Sequence, residues 1–185
     1  MADPQRLVVG VTGSSGGHLA LRLLEALAGS SWEVHLVVTD MGRRVLEHET
    51  GRASLDGLAS HVHEPDDLFA PIASGSFQTR GMVVVPCSMK TLAGIATGFA
   101  DNLLLRSADV CLKERRRLVL VTRESPLSLI HIENMRRVTR AGAVVLPPVL
   151  TMYAKPSSID EVVDQITGKV LDALGIDGEV RRRWQ

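Results

Sequence analysis

Leu7-Val8-Val9-Gly10-Val11, then Thr12-Gly13-Ser14-Ser15-Gly16-Gly17, then Leu19, Leu23, Leu24 and Leu27 at helical spacing, is the stretch that decides the fold. An unbroken apolar run has no polar face to show to water, so it reads as a strand covered on both sides. A glycine-rich turn and an amphipathic helix follow it. Working outward, the pattern recurs. Val34 to Val38 is a second such strand ending at Thr39-Asp40, and Val45, Leu46 and Glu49 fit the helix after it. Met82 to Val85 is a third, stopped by Pro86; Leu118 to Val121 and Ala143 to Leu146 are a fourth and a fifth. Helical patterns cover Lys90 to Thr97, Asn102 to Glu114, Leu129 to Arg140 and Ile159 to Leu174. Regular alternation of buried strands with helices predicts a doubly wound α/β fold, a parallel sheet with helices on both faces, in one domain over residues 1–185.

Composition narrows the function classes. The 185 residues carry 21 basic and 21 acidic side chains, so no global field draws the chain to nucleic acid or to an anionic membrane. Neither partner is expected. Aromatic residues make up only 3%, three Phe, two Trp and one Tyr, which leaves Ala, Leu, Val and Gly to build the core. An aromatic near a candidate site is therefore informative. Cys87 and Cys111 form no CxxC pair, which argues against a disulfide framework or a zinc site and for a reducing compartment. The start, MADPQRLVVGVTG, lacks the long apolar segment of a signal peptide, and no run reaches the roughly 18 apolar residues of a membrane span. A cytoplasmic protein is expected.

In a doubly wound sheet, ligands bind beyond the carboxyl ends of the strands where the strand order reverses. The exits are Gly13 to Gly17, Thr39-Asp40, Pro86 to Thr91, Thr122 to Pro126 and Pro147 to Tyr153. The first offers Gly13, Ser14, Ser15 and Gly16 at a helix start, where free amides and the helix dipole favour an anion. Its spacing is neither the GxGxxG fingerprint nor a Walker loop, and a tight turn without a ligand is the plainer alternative. The third exit places Ser88, Met89, Lys90 and Thr91 at another helix start. Ser88 is a natural N-cap, a role sufficient by itself, yet two such starts in one sheet point to a ligand with a phosphate tail.

Other features are weighed against structural readings. Cys87, near a helix start, has the position of a nucleophile but no identified base, so a small buried residue is expected; Cys111 is expected in packing. His61-x-His63 lies in a polar segment and is expected to face solvent, and no metal site is expected. Lys113 to Arg117 suits a helix C-terminus as a solvated cluster. Arg123-Glu124, at a central strand exit, pairs a phosphate-binding cation with a proton-transferring carboxylate. Arg181 to Gln185 would ordinarily be a frayed tail.

Six motifs, in order, carry a resemblance: TGSSGG after the first strand, SGSF at Ser74 to Phe77, VPCSMKTLAGIATG at Val85 to Gly98, DNLLLRSADVCLKERRRLVL at Asp101 to Leu120, RESPLSLIHIENM at Arg123 to Met135, and GAVVLPPVLTMY at Gly142 to Tyr153. Together they resemble the UbiX flavin prenyltransferases over nearly the whole chain. The resemblance implies a flavodoxin/Rossmann-like sheet, FMN as the flavin and dimethylallyl phosphate as donor. The dimethylallyl group would join N5 and C6 of reduced FMN, giving the prenylated FMN required by a UbiD-type decarboxylase in ubiquinone biosynthesis or aromatic acid decarboxylation. It also implies a homododecamer with sites at subunit contacts.

Residue by residue, the family's FMN positions fall on Gly13, Ser14, Ser15, Thr39, Ser88, Met89, Lys90, Thr91 and Arg123. The donor phosphate positions fall on Lys113, Arg123, Tyr153 and Lys169, the last usually an Arg in the family. Ser15 and Glu124 match residues that stabilise and deprotonate the alkylated flavin. Glu49 and Arg106 match further active-site positions, Glu49 in the catalytic set and Arg106 in the flavin-binding set. Trp184 matches an aromatic that covers the prenyl chain, so the tail from about residue 176 to 185 would complete the site. Four rival readings stand beside this one: a flavin-dependent peptidyl-cysteine decarboxylase, a subunit-like role beside a phenolic acid decarboxylase, as in the B subunits of the same family, a non-enzymatic flavin carrier, and a nicotinamide-binding Rossmann half. The last lacks the Tyr-x-x-x-Lys pair, since Ser157 stands four residues after Tyr153.

Overall fold

The computed structural model describes residues 5–176, apart from the Asp56 side chain. The strands are β1 (Gln5–Val11), β2 (Trp32–Val38), β3 (His61–His63), β4 (Gly81–Cys87), β5 (Arg117–Thr122) and β6 (Val144–Val145). The helices are α1 (Gly17–Leu27), α2 (Asp40–Thr50), α3 (Met89–Thr97), α4 (Leu103–Lys113), α5 (Leu129–Arg140) and α6 (Ile159–Leu174). The strands form one sheet in the order β3-β2-β1-β4-β5-β6, and every neighbouring pair is parallel. That order is the Rossmann one; without the three-residue edge strand β3, the remaining five follow the flavodoxin order. The reversal lies between β1 and β4, so the exits Gly13 to Gly17 and Pro86 to Thr91 meet there.

Strand alternation sorts the core into two layers. Leu7, Val9, Val11, Leu36, Val83, Val85, Val119 and Val121 face Leu19, Leu23 and Leu24 of α1 and Val170 and Leu171 of α6. Val8, Val37, Met82, Val84, Leu118 and Leu120 face Leu103, Leu104 and Ala108 of α4. Among the described residues, no Phe, Trp or Tyr is fully buried, so aliphatic side chains do build the core as the composition requires. No helix among them is long and apolar enough to cross a membrane.

Helix starts follow local chemistry. Thr39, Ser88, Asn102, Ser128 and Ser158 each cap a helix by accepting a hydrogen bond from an amide of its first turn. Only α1 departs from this among the six helices, because its N-cap is Gly16, which has no side chain to offer.

Three sequence expectations are corrected. β4 does not stop at Pro86 but runs on to Cys87: the missing N–H of proline interrupts the ladder, a register shift absorbs the gap between Val84 and Cys87, and pairing resumes at Cys87 and Thr122. β6 spans only Val144–Val145 rather than Ala143 to Leu146. The segment His61–His63 is a strand, paired with His35 to Val37; His61 is exposed, whereas His63 is half-buried and stacked against His35.

Candidate active site at the switch point

Hydrogen bonds lace the carboxyl ends of the central strands together. Thr12, which the sequence reading passed over, is 2% exposed; its Oγ1 donates to the Pro86 carbonyl at 2.7 Å and accepts from the Ser88 amide at 2.8 Å. A hydroxyl closing an otherwise apolar strand was the signal for it. Thr39 donates its amide to the Val11 carbonyl, and Arg123 donates its amide to the Cys87 carbonyl. The exits after β1, β2, β4 and β5 are thereby held in fixed relation. Gly16 adopts φ 129, a conformation that suits glycine, and a Cβ there would approach the Pro86 side chain at 3.3 Å.

The anion at the start of α1 is part of the chain. Glu49, from the last turn of α2, accepts from the Gly16 amide at 3.0 Å and the Gly17 amide at 2.7 Å, and the Ser15 hydroxyl also bonds to it. Burial opposes charge on this carboxyl, but the bonds from Ser15, Gly16 and Gly17 outweigh it and hold its pKa below the ordinary value. The expectation of a phosphate at this helix start is corrected here: a carboxylate already satisfies its amides. What remains of the turn is Gly13, Ser14 and Ser15. Ser14 Oγ is shielded from solvent and finds no hydrogen-bond partner among the described residues, which suits a polar group bound at the turn. Met41 of α2 lies over Gly13, where an added Cβ would clash with its side chain.

The start of α3 is differently furnished. Ser88 Oγ accepts from the Thr91 amide at 3.3 Å and lies 3.1 Å from Thr91 Oγ1. The first amides of a helix have no acceptor within it, and here they belong to Met89 and Lys90, with the exposed Lys90 side chain adding positive charge. An FMN phosphate fits this start, and the flavin's polar edge fits Ser14. Thr39 caps α2 through Gly42 at 3.1 Å, so its hydroxyl also serves the fold. Cys87 is fully buried and burial pushes its pKa up to about 12, which removes it as a nucleophile; Cys111 is raised to about 12 in the same way.

Beyond β5, Arg123 and Glu124 are exposed, and Glu124 Oε1 accepts from the Ser125 amide at 3.0 Å. Beyond β6 lies a cavity of about 350 Å³ lined by Leu146, Pro147, Leu150 and Ile166, with Tyr153 and Lys169 also in its wall. An apolar cavity carrying a phenol and an ammonium can hold a short hydrocarbon with an anionic end. Gln165, another lining residue, was not foreseen; its Oε1 is buried without a partner among the described residues.

Two expected site residues stand apart from these. Lys113 ends α4 on the side where β5 begins, opposite the strand exits, and forms an ion pair with Glu114 over Gly75. Arg106 donates to the Ala73 carbonyl at 3.0 Å and to Asp109 at 2.6 Å. Within the same basic run, Arg116 is no solvated charge: it donates to the carbonyls of Gly75 at 2.5 Å and Phe77 at 2.8 Å and so anchors the SGSF turn. Trp184 and the tail after Ile176 lie outside the described residues.

The family model for flavoproteins matches residues 1–171. A probable UbiX-like flavin prenyltransferase of Streptomyces sp. strain D7 is 50% identical over 182 residues, spanning 97% of this chain and 91% of the relative. The chain belongs to the flavoprotein family, among its UbiX-like members. Two solved UbiX-like structures match its backbone. AnUbiX (PadA1), in complex with FMN and dimethylallyl pyrophosphate, gives a TM-score of 0.96 at 49% identity, covering 98% of this chain and 97% of that one. A dodecameric FMN-dependent UbiX-like decarboxylase from Escherichia coli O157:H7 gives 0.96 at 46% identity, covering 98% of this chain and 100% of the other.

Proposed function

We propose that this chain is a flavin prenyltransferase that moves a dimethylallyl group from dimethylallyl phosphate to N5 and C6 of reduced FMN, supplying prenylated FMN to a UbiD-type decarboxylase. The observation that carries the reading is the placing of a phosphate-ready helix start and an apolar cavity with a cationic wall at exits of the same sheet. The α3 start follows β4, the cavity follows β6, and Arg123 leaves the strand between them. Adjacent strands are about 4.8 Å apart, so roughly 10 Å separates the two sites, a span suited to a flavin and a small donor.

When bound, reduced FMN supplies the nucleophilic N5 and C6 atoms that the dimethylallyl group joins. Ser88, Met89, Lys90 and Thr91 would hold its phosphate, and Gly13, Ser14, Ser15 and Thr39 would receive the rest of the flavin. Glu49 aligns Ser15 through their hydrogen bond. Arg123 and Lys169 neutralise the donor phosphate as it leaves, where fixed cations help most, and Tyr153 adds a hydroxyl to the same clamp. Tyr153 would offer π surface to positive charge developing on the allyl carbon. Glu124 would take the proton lost from C6 at ring closure, and the C=C bond of the dimethylallyl group would gain one as it bonds to C6, with the departed phosphate as its source. Lys113 and Arg106 belong to this set through a neighbouring subunit of a homo-oligomer, a dodecamer as in the bacterial relative. The chain is read as one FMN-binding domain over residues 1–185. Two free, buried cysteines suit a cytoplasmic setting.

The test is anaerobic incubation with reduced FMN and dimethylallyl phosphate, followed by mass spectrometry of the released flavin. A prenyl-sized gain is expected. Bound FMN without that gain would leave a flavin carrier, and oxidative loss of carbon dioxide from a peptide with a C-terminal cysteine would favour the decarboxylase reading.

A further inference from the structure

Away from the strand exits, β1, β2 and β3 gather a cluster that the flavin chemistry does not use. Arg6 Nε donates to Glu33 Oε2 at 3.1 Å, which turns the other carboxylate oxygen toward two imidazoles. Glu33 Oε1 lies 3.1 Å from His35 Nε2 and 3.2 Å from His61 Nε2. A tetrahedral ion with ligands at about 2.0–2.1 Å needs donor atoms about 3.3 Å apart. Two edges of such a ligand triangle are therefore already set.

The third edge, between the two Nε2 atoms, is no longer than 4.8 Å. The rings stack at 4.6 Å with 24° between their planes, so closing on an ion requires one ring to turn. His61 is free to do so, being 52% exposed, whereas His35 is 3% exposed and fixed. Support lies behind His35. Its Nδ1 is 3.0 Å from His63 Nε2, which gives the far nitrogen of a ligating histidine the hydrogen-bond partner such histidines ordinarily have. Phe77 packs edge-on to the His35 ring at 5.2 Å, and Arg6 covers Phe77 at 4.5 Å. Strand register makes the arrangement: His35 pairs with His61 and Val37 with His63. Spacing along β2 sets the cluster about 13 Å back from Thr39, outside the flavin site.

We propose that Glu33, His35 and His61 form a binding site for one divalent transition-metal ion of the Zn²⁺ class, with a fourth position open to water beside His61. Two imidazoles and one carboxylate are borderline-hard ligands that suit Zn²⁺ and Co²⁺ and disfavour Mg²⁺ and Ca²⁺. The ion ties the edge strand β3 to β2 and takes no part in prenyl transfer. Arg6 orients the carboxylate, and its charge tempers the affinity. The site is not legible in the sequence because His61 lies 26 residues beyond His35 and meets it only through the β2–β3 register.

The experiment uses the full chain, free of any histidine tag and stripped with a chelator, titrated with Co²⁺ and followed by visible absorption. The expected result is one equivalent of Co²⁺ with the intense bands of a four-coordinate site, displaced by Zn²⁺. His61→Ala is expected to weaken binding by at least about 10-fold and to leave prenyl transfer unchanged, while His48→Ala, an exposed histidine on α2, binds as the parent does. Absence of a stoichiometric Co²⁺ spectrum, or equal affinity in His61→Ala and the parent, overturns the proposal.

Discussion

Replacing Glu49 by Gln tests whether a carboxylate from α2 caps α1. The parent side chain receives the Gly16 and Gly17 amides at 3.0 and 2.7 Å together with the Ser15 hydroxyl. The Gln amide oxygen keeps the acceptor and the shape but loses the charge. Hydrogen bonds to a charged group exceed neutral ones by about 1 kcal/mol, and a charge at a helix N-terminus adds about 0.3–1 kcal/mol. A loss of about 1–2 kcal/mol follows, which for a chain of this size lowers Tm by about 3–6 °C. Glu49→Ala removes the acceptor as well and should cost more, about 2–4 kcal/mol. The sign with pH is fixed by the lowered pKa of Glu49. A carboxyl whose folded pKa lies below its unfolded value stabilises the fold above the unfolded pKa, and the contribution disappears as pH falls through the folded one. The Tm gap between parent and Glu49→Gln should therefore be full at pH 7 and shrink below about pH 4.5. Thermal unfolding of the flavin-free proteins by circular dichroism from pH 7 to pH 3 reads both quantities. A gap that is absent at pH 7, or that stays constant into acid, refutes the capping role.

Three further outcomes concern the reaction. Glu124→Gln should retain FMN, seen by its absorption on the purified protein, and slow prenyl transfer by about 10²-fold or more, as loss of a general base does; unchanged turnover removes Glu124 from the mechanism. Lys169→Arg restores a bidentate fork for phosphate and should lower KM for dimethylallyl phosphate with little change in kcat; an unchanged or higher KM argues against a contact between Lys169 and the donor. Lys113→Ala and Arg123→Ala should each be inactive alone, yet mixed and reassembled subunits should regain part of the activity. Failure of well-folded mixtures to regain any would keep Lys113 out of a neighbour's site.

Much of the fold was legible because a strand buried on both faces announces itself: the runs in β1, β4 and β5 are continuous and apolar, and His35 alone interrupts the one in β2. The ends of α5 and α6 were equally clear, since Ser128 and Ser158 cap their starts and Gly175 ends α6 in a left-handed conformation. β3 was hidden because it is short, polar and mostly exposed, and only pairing with β2, 26 residues earlier in the chain, makes it a strand. At Pro86 a local rule, that proline ends a strand, lost to a bulge that the neighbouring β5 makes possible. The site divided in the same way. Ser88 and Thr91 could be placed from their local helix start, but the identity of the anion at α1 could not, because Glu49 reaches it from another helix.

The position of Lys113 constrains how these chains can assemble. A phosphate clamp with Arg123 at the carboxyl edge of the sheet and Lys113 near its amino edge cannot close within one chain. On the proposed reading the two meet across a subunit contact, which either a two-fold contact, where each subunit completes the other's clamp, or a head-to-tail contact, which must close into a ring or run on as a filament, can provide. Dilution then acts as an inhibitor on that reading: a separated subunit keeps Arg123, Tyr153 and Lys169 of its donor clamp and lacks Lys113 and Arg106.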